Sequence, residues 1–295
     1  MRVFVTGASG FVGSAIVQEL LQAGHQVLGL ARSDSAAEKL IKAGAEVHHG
    51  DLNDPDSIRQ GAEHCDAVIH TAFNHDFSRF KANCEEDRQV ILALGSALAG
   101  SGRPLVITSG VGILHYDRLV TEEDQPTAAD VTPRAASEEA AHTAAAQGAN
   151  TYIVRLPPTV HGAGDHGFIP MVIGMDKEKG ESAYIGAGDN RWPAVHRLDA
   201  AVLYRLIIEK QPQQRIFHAV AEEGIPFLEI ADAIGQRLHL PMVSKTGADA
   251  EAHFGWFTHF AGMGCPASSE QTRESLGWKP VQPGLMEDLA SGSYF

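Results

Sequence analysis

Cysteine is nearly absent: Cys65, Cys84 and Cys265 are the only three in 295 residues, odd in number and far apart. That excludes a disulfide framework or a cysteine zinc site, and buried thiols in a reducing compartment are expected. Basic runs are absent as well. The chain carries 23 Lys and Arg against 37 Asp and Glu, a formal charge of -14, with the two signs interleaved. Affinity for a phosphate backbone is built on clustered cations, so the charge argues against a nucleic-acid partner and none is expected. Long apolar runs are missing too: the first, Val3 to Val5, ends at Gly7, too short for a signal peptide or a membrane span. A cytoplasmic protein with a small-molecule partner is expected, and a homo-oligomer is compatible with the composition. Fifteen histidines fall in no HExxH-like ligand pattern, so no metal is expected.

An apolar content of 44% is ordinary for a packed core. Its arrangement is informative, because short β-type runs alternate with helical ones, the mark of a parallel sheet covered on both faces. Strands are expected at RVFVT, 26–31, 46–49, 67–71, 104–109 and 151–156. Helices are expected at 13–23, 34–43, 55–64, 83–99 and from Pro133 to Gln147. The fold class is therefore α/β, a doubly wound parallel sheet of Rossmann type over residues 1–160. Beyond His161 the alternation weakens, with a clear helix only at Phe227 to Leu238. Residues 161–295 are read as a smaller C-terminal substrate lobe that also completes the sheet, over the carboxyl edge where such folds hold ligands.

Thr6-Gly7-Ala8-Ser9-Gly10-Phe11-Val12-Gly13 follows the first strand and opens the first helix. Its glycines permit a tight turn and close backbone approach to a pyrophosphate, and the helix amino end supplies N–H donors. Strand, spacing and helix together predict a dinucleotide on Gly7, Ser9, Gly10, Phe11, Val12 and Gly13. The end of the second strand selects which one. An acid there would bind the 2'-hydroxyl of NAD, but the chain reads Leu30-Ala31-Arg32-Ser33. Arg32 and Ser33 suit a 2'-phosphate, so NADP is favoured over NAD, with Asp34 two residues on as a weak counter-signal.

TGASGFVG, the DLND at 51–54, RLPPTVHG at 155–162 and ESLGWKP at 274–280 together resemble the extended short-chain dehydrogenase/reductase family, also called the NAD-dependent epimerase/dehydratases. The resemblance covers nearly the whole chain. It implies that Asp51 and Leu52 contact adenine, that Thr71 and Ala72 pass beside pyrophosphate and ribose, and that Pro157 and Pro158 lie next to the nicotinamide. It also implies a Ser or Thr after the fifth strand and a Tyr-x-x-x-Lys helix for proton transfer. Here the chain departs. VTPRAASEEAA places Arg134 at the tyrosine and Glu138 at the lysine, and Gly110 stands where many members carry the working hydroxyl, one residue after Ser109. The chain resembles an atypical branch that keeps the cofactor site and lacks the standard catalytic set.

A guanidinium does not release a proton near neutrality, though it can orient a carboxylate or stabilise an oxyanion. Tyr116, in the loop leaving the fifth strand, is the first candidate for proton donor, with a packing role as its alternative. His161, after the sixth strand, is the second, since an imidazole exchanges protons near pH 7. Ser109 is left an orienting role. GAGDHGFIP (162–170) reads as a substrate loop or a connector, His253 to Trp256 as the lining of an apolar pocket or core, and Asn190-Arg191-Trp192 as an exposed turn. Arg134 and Glu138, one turn apart, are expected to pair with each other or to be solvated. The function expected is an NADP-dependent oxidoreductase reducing a small carbonyl, imine or related compound. The alternative is a catalytically silent NADP sensor acting through a protein partner.

Overall fold

Side chains of β1 (Arg2–Thr6), buried from Val3 onwards, alternate between two faces of the protein. Val3 and Val5 point to one core, with Ile16, Leu20 and Ile207, while Phe4 points to the other, with Ile58, Ile91 and Leu94. That is the period of two expected of a strand covered on both sides. A computed structural model describes residues 1–295. After β1 come α1 (Phe11–Gln22), β2 (Gln26–Ala31), α2 (Asp34–Ala43), β3 (Glu46–His49), α3 (Pro55–Glu63) and β4 (Ala67–His70). They continue with α4 (Phe80–Leu98), β5 (Pro104–Gly110), α5 (Ala136–Ala146) and β6 (Asn150–Leu156). Later elements are β7 (Thr159–His161), α6 (Phe168–Lys179), β8 (Ser182–Ile185), β9 (Arg191–His196), α7 (Arg197–Lys210), β10 (Ile216–His218) and β11 (Glu222–Pro226). The last are α8 (Phe227–Leu238), β12 (Met242–Lys245), α9 (Gly247–Phe254), α10 (Thr258–Gly262), α11 (Glu270–Leu276) and α12 (Leu285–Ser291).

Seven parallel strands form the central sheet in the order β10-β6-β5-β4-β1-β2-β3. The chain leaves the β3 edge and re-enters on the far side of β1 as β4, so the strand order reverses between β1 and β4. Ligands of open α/β sheets sit outside the carboxyl ends of the strands at such a point. A second core, with Ile169, Trp192, Phe227, Phe254, Phe257 and Leu285, belongs to the later residues. There, β11-β9-β7 and β12-β8 form two small sheets. No helix is long and apolar enough to cross a membrane.

Two helices after His161 escape a periodicity reading for identifiable reasons. In α7, Ala200, Ala201, Leu203, Tyr204, Ile207 and Ile208 are all buried. Its outer face mixes the apolar Leu198, Val202 and Leu206 with Arg205 and Glu209, so the polar stripe is interrupted. In α6, Pro170 looks like a breaker, but it lies in the first turn, where backbone N–H groups have no intrahelical acceptor to lose. Trp192 also differs from the exposed turn expected of it: it is 0% exposed, on β9.

Candidate active site

The glycine loop is shaped around an approaching backbone. Gly7 has φ +67°, and a Cβ there would fall 2.7 Å from the Ala72 nitrogen and 2.8 Å from Thr71 Oγ1. A Cβ on Gly13 would fall 2.1 Å from the Gly7 carbonyl oxygen. Both positions therefore demand glycine, one for conformation and contact, the other for contact alone. Gly10 caps α1 without a side-chain bond, and no acidic residue stands in the first turn. The N–H groups of Phe11, Val12 and Gly13 are thus left for an anion, in the field of the helix dipole. Beside the loop, Thr71 Oγ1 donates to the Thr6 carbonyl at 2.8 Å and ties the ends of β1 and β4 together. These features fit a dinucleotide pyrophosphate.

The other cofactor candidates are distributed around this edge. Arg32 is exposed at the end of β2, while the Ser33 hydroxyl caps α2, accepting from the Ala36 N–H at 3.3 Å. Asp51 accepts from Asn53 N and Nδ2 at 2.8 and 2.9 Å, and Leu52 packs against the core that holds Phe4 and Ile58. Pro157 is buried and Pro158 half-buried, in the link from β6 to β7.

The two residues in place of tyrosine and lysine have separate partners, correcting the expectation that they pair or are solvated. Glu138 is met by Arg155 of β6 in a bidentate pair, Nε to Oε1 and Nη2 to Oε2, each 2.8 Å. Their side chains are 2% and 0% exposed. Arg155 Nη1 faces His218 Nε2 at 3.3 Å, and His218 Nδ1 donates to the Ser268 carbonyl at 2.8 Å. Burial first, and then the Arg155 charge, push His218 down to about 4, so the ring is neutral and accepts from the guanidinium.

Arg134 turns instead towards the sheet edge. Its Nη1 donates to Asp87 of α4 at 2.9 Å and to Ser137, and its Nη2 to the Thr108 carbonyl at 2.9 Å. The guanidinium carbon lies 4.2 Å from the centre of the Phe73 ring. Asp87 also accepts from Ser137 and from His70 Nε2, the latter at 2.9 Å. His70 Nδ1 then lies 2.6 Å from Thr6 Oγ1. Burial opposes charge on Asp87, but Arg134 and the bonds from His70 and Ser137 outweigh it and hold the carboxyl below its usual range. The arrangement fixes a cation beside the cofactor edge while leaving the Arg134 side chain 16% exposed.

Aromatic rings continue the wall. Phe73 follows Ala72 directly and contacts His75 at 5.2 Å and Phe80 at 6.2 Å between centroids. His75 faces solvent, yet crowding by the cleft walls desolvates it and, with the Arg134 charge, lowers its pKa. On the glycine loop, Phe11 meets the His166 ring at 5.7 Å and the Arg197 guanidinium at 5.0 Å. The 162–167 loop carrying His166 is fastened by Tyr294, whose hydroxyl donates to Asp165 at 2.9 Å and accepts from the Gly162 N–H at 3.2 Å.

Three residues singled out for chemistry make no hydrogen bond to the Arg134–Asp87–His70 network. Tyr116 is 39% exposed; its hydroxyl donates to the Gln125 carbonyl at 3.0 Å, and Arg118 covers its ring. The His161 side chain is 1% exposed, with Nδ1 2.6 Å from Asp288 and Nε2 without a partner. Ser109 is buried and its Oγ lacks a partner. Strand alternation sets Ser109 on the face opposite Thr108, whose hydroxyl meets Tyr204 of α7 at 2.7 Å. A Cβ on Gly110 would meet only the Leu156 carbonyl at 3.5 Å, so space does not forbid a hydroxyl there. His253 is buried against Asp176 at 2.9 Å and lines no cleft.

Sequence reasoning passed over His70, Asp87, Phe73, His75 and Phe77. A signal for four of them was present in HTAFNHDF (70–77), a run of rings directly after an apolar strand. Asp87 had none: it lies inside a helix rich in charge and is buried only because α4 packs on α5.

A family model described as the NAD dependent epimerase/dehydratase family matches residues 3–219. An uncharacterized protein of Schizosaccharomyces pombe is 50% identical over 295 residues, covering 100% of both chains. A 2-alkyl-3-oxoalkanoate reductase of Stenotrophomonas maltophilia is 29% identical over 266 residues, 83% of this chain and 78% of its own. Among solved structures, a dTDP-glucose 4,6-dehydratase of Streptomyces venezuelae with NAD and TYD bound matches with a TM-score of 0.79 at 20% identity, over 99% of this chain and 96% of that one. At that identity the likeness establishes the fold. The family and these relatives indicate NAD(P)-dependent activity of the oxidoreductase, epimerase or dehydratase kind. A glycine cradle at the β1/β4 switch point, a seven-stranded parallel sheet and a match over most of the chain agree: this protein belongs to the NAD-dependent epimerase/dehydratase family.

Proposed function

We propose that the protein is an NADPH-dependent reductase of a small carbonyl or imine compound, in which Arg134 takes over the electrophilic task of the absent tyrosine. The observation that carries this reading is the placement of Arg134: a partly exposed guanidinium at the cofactor edge, held by Asp87, Ser137 and the Thr108 carbonyl. Gly7, Ser9, Gly10, Phe11, Val12, Gly13, Thr71 and Ala72 would hold the pyrophosphate side of the cofactor, and Asp51 and Leu52 its adenine. Arg32 and Ser33 would hold the 2'-phosphate, and Pro157 and Pro158 would lie beside the nicotinamide. The bound cofactor supplies the hydride. Arg134 stabilises the negative charge that grows on the substrate oxygen or nitrogen, a fixed cation needing little reorganisation.

Arg134 does not deliver the proton, and His75 is the better supplied carrier. It lies one ring from Arg134, across Phe73, and it faces solvent. Tyr116 gives its hydroxyl to the Gln125 carbonyl, and His161 is bonded to Asp288 through Nδ1 with Nε2 buried away from solvent. Since the His75 pKa is lowered, its charged form gains population only as pH falls below the ordinary histidine range. Reduction by a His75 proton therefore speeds up towards acid.

A screen following NADPH absorbance over aldehydes, ketones, enones and imines tests the reading. With a substrate in hand, Arg134→Ala should lower kcat/KM by about 10² to 10³, with Arg134→Lys intermediate and NADPH affinity unchanged. His75→Asn should remove the acid-side rise. Activity in Arg134→Ala within about threefold of the parent would refute the electrophile, and a loss confined to Tyr116→Phe or His161→Ala would move the proton donor there. No turnover on any compound, with a partner protein bound only by the NADP or the NADPH form, would make the chain a sensor.

A further inference from the structure

The later residues already possess a dry aromatic core in Trp192, Phe227, Phe254 and Phe257, each 0–1% exposed. A second group of rings lies outside it and is not sealed. Phe77 contacts Phe80 at 5.7 Å, Phe260 at 5.5 Å and Phe168 at 6.2 Å, and all four are only half-buried. Trp256 stacks on Phe77 at 4.9 Å with 24° between the planes, yet remains 54% exposed. Contiguous apolar surface of this kind is uncommon unless it binds something.

Position and charge indicate what it binds. The ring group joins the segment after β4 to α6 and α10, and Phe80 contacts Phe73, the residue following Ala72. The cluster thus runs from the cofactor edge outwards. Its inner end carries one cation, Arg134 over the Phe73 face, whereas the apolar rings beyond have two imidazoles packed on them, His75 on Phe77 and His259 on Phe260. A polyhydroxylated sugar would leave most of its hydroxyls unpaired there, at a cost. A flat, delocalised molecule with one polar end matches both parts, because ring faces favour offset or edge-on aromatic partners.

We propose that this ring surface is a binding site for planar aromatic or conjugated carbonyl compounds, stacked against Trp256 and Phe77 with their oxygen towards Arg134. This names the substrate class of the reductase reading and rests on it for the reaction, while the binding is measurable without turnover. Trp192 and Trp278 are buried, so Trp256 is the exposed fluorophore.

The test uses the full chain saturated with NADP, the oxidised form, which supplies no hydride. Cinnamaldehyde and 2-naphthaldehyde are titrated by tryptophan fluorescence and by calorimetry, with hexanal and UDP-glucose as the contrasting probes. Saturable quenching by the aromatic aldehydes is expected, with Kd at least tenfold below that of either contrast. By calorimetry, Trp256→Ala and Phe77→Ala should each weaken the aromatic probes about tenfold or more while NADP binding is unchanged, which also shows that the variants are folded. Hexanal or UDP-glucose binding as tightly as the aromatics would overturn the proposal, as would no binding of any probe at millimolar concentration. If light scattering shows a dimer that Trp256→Ala dissociates, the rings are an interface and the proposal is likewise overturned. Aromatic binding without turnover on NADPH leaves the site standing and refutes only the reductase reading; turnover on aliphatic carbonyls without aromatic preference does the reverse.

Discussion

Replacing Glu138 tests the buried ion pair behind the sheet edge. Glu138 is buried and gives both oxygens to Arg155. In Glu138→Ala the Arg155 guanidinium keeps its burial and loses its counter-charge, retaining only the neutral His218 ring on Nη1. Removing one member of a buried ion pair costs about 3 to 5 kcal/mol, most of it the penalty of the charge left behind. Glu138→Gln keeps the shape and one acceptor, so it should lose somewhat less, about 2 to 3 kcal/mol. Glu138→Lys sets two cations in contact and should not yield folded protein. Urea unfolding followed by circular dichroism measures the loss as a lower midpoint at unchanged slope. The pH profile of any reductase activity should be unchanged per folded molecule. A Glu138→Gln protein within about 0.5 kcal/mol of the parent would refute the reasoning, because a solvated or merely helical glutamate would behave that way. A lost ionisation in the rate profile would show instead that Glu138 takes part in proton transfer.

Two further outcomes follow from the site. Arg32→Ala should weaken NADP by about 1.5 to 3 kcal/mol, the worth of a charge-assisted bond, and NAD far less; calorimetry showing equal losses would remove the 2'-phosphate role. His218 is neutral and buried, held at about 4, so the unfolded chain takes up a proton at higher pH than the folded one. Stability should therefore be full above the ordinary histidine pKa of about 6.5 and fall by up to about 3 kcal/mol as pH drops towards 4. His218→Asn should flatten that part of the profile in thermal melts, and an unaltered slope would show that other groups cause it.

The cofactor half of the protein is legible because its determinants are local. Gly7 and Gly13 are dictated by contacts within a few residues of themselves and at the end of the neighbouring strand, and such requirements leave a spacing in the chain. The strands 26–31 and 46–49 and the helix 34–43 have the bounds their patterns predict, since each has a covered face and turn residues at its ends. Legibility declines where apolar residues also stand on a helix's outer face, as Leu198, Val202 and Leu206 do in α7, or where an apparent breaker falls in a harmless first turn, as with Pro170 of α6.

The catalytic region divides in the same way. That Arg134 and Glu138 stand one turn apart, in a chain with no Tyr-x-x-x-Lys, is a property of the sequence. Their separate fates are tertiary. Two residues one turn apart on a helix appear free to pair, but α5 lies against β6 on one side and α4 on the other, so Arg155 claims Glu138 and Asp87 claims Arg134. Nothing near those residues in the chain announces the partners, which are 17 and 47 positions away. The rings from Phe73 to Phe260 likewise form one surface only after the sheet and the later helices bring them together. Local spacing determined the loop that a dinucleotide requires, whereas the charges and rings around it were decided by packing, because a buried ion pair or a ring stack depends on distance in space and not along the chain.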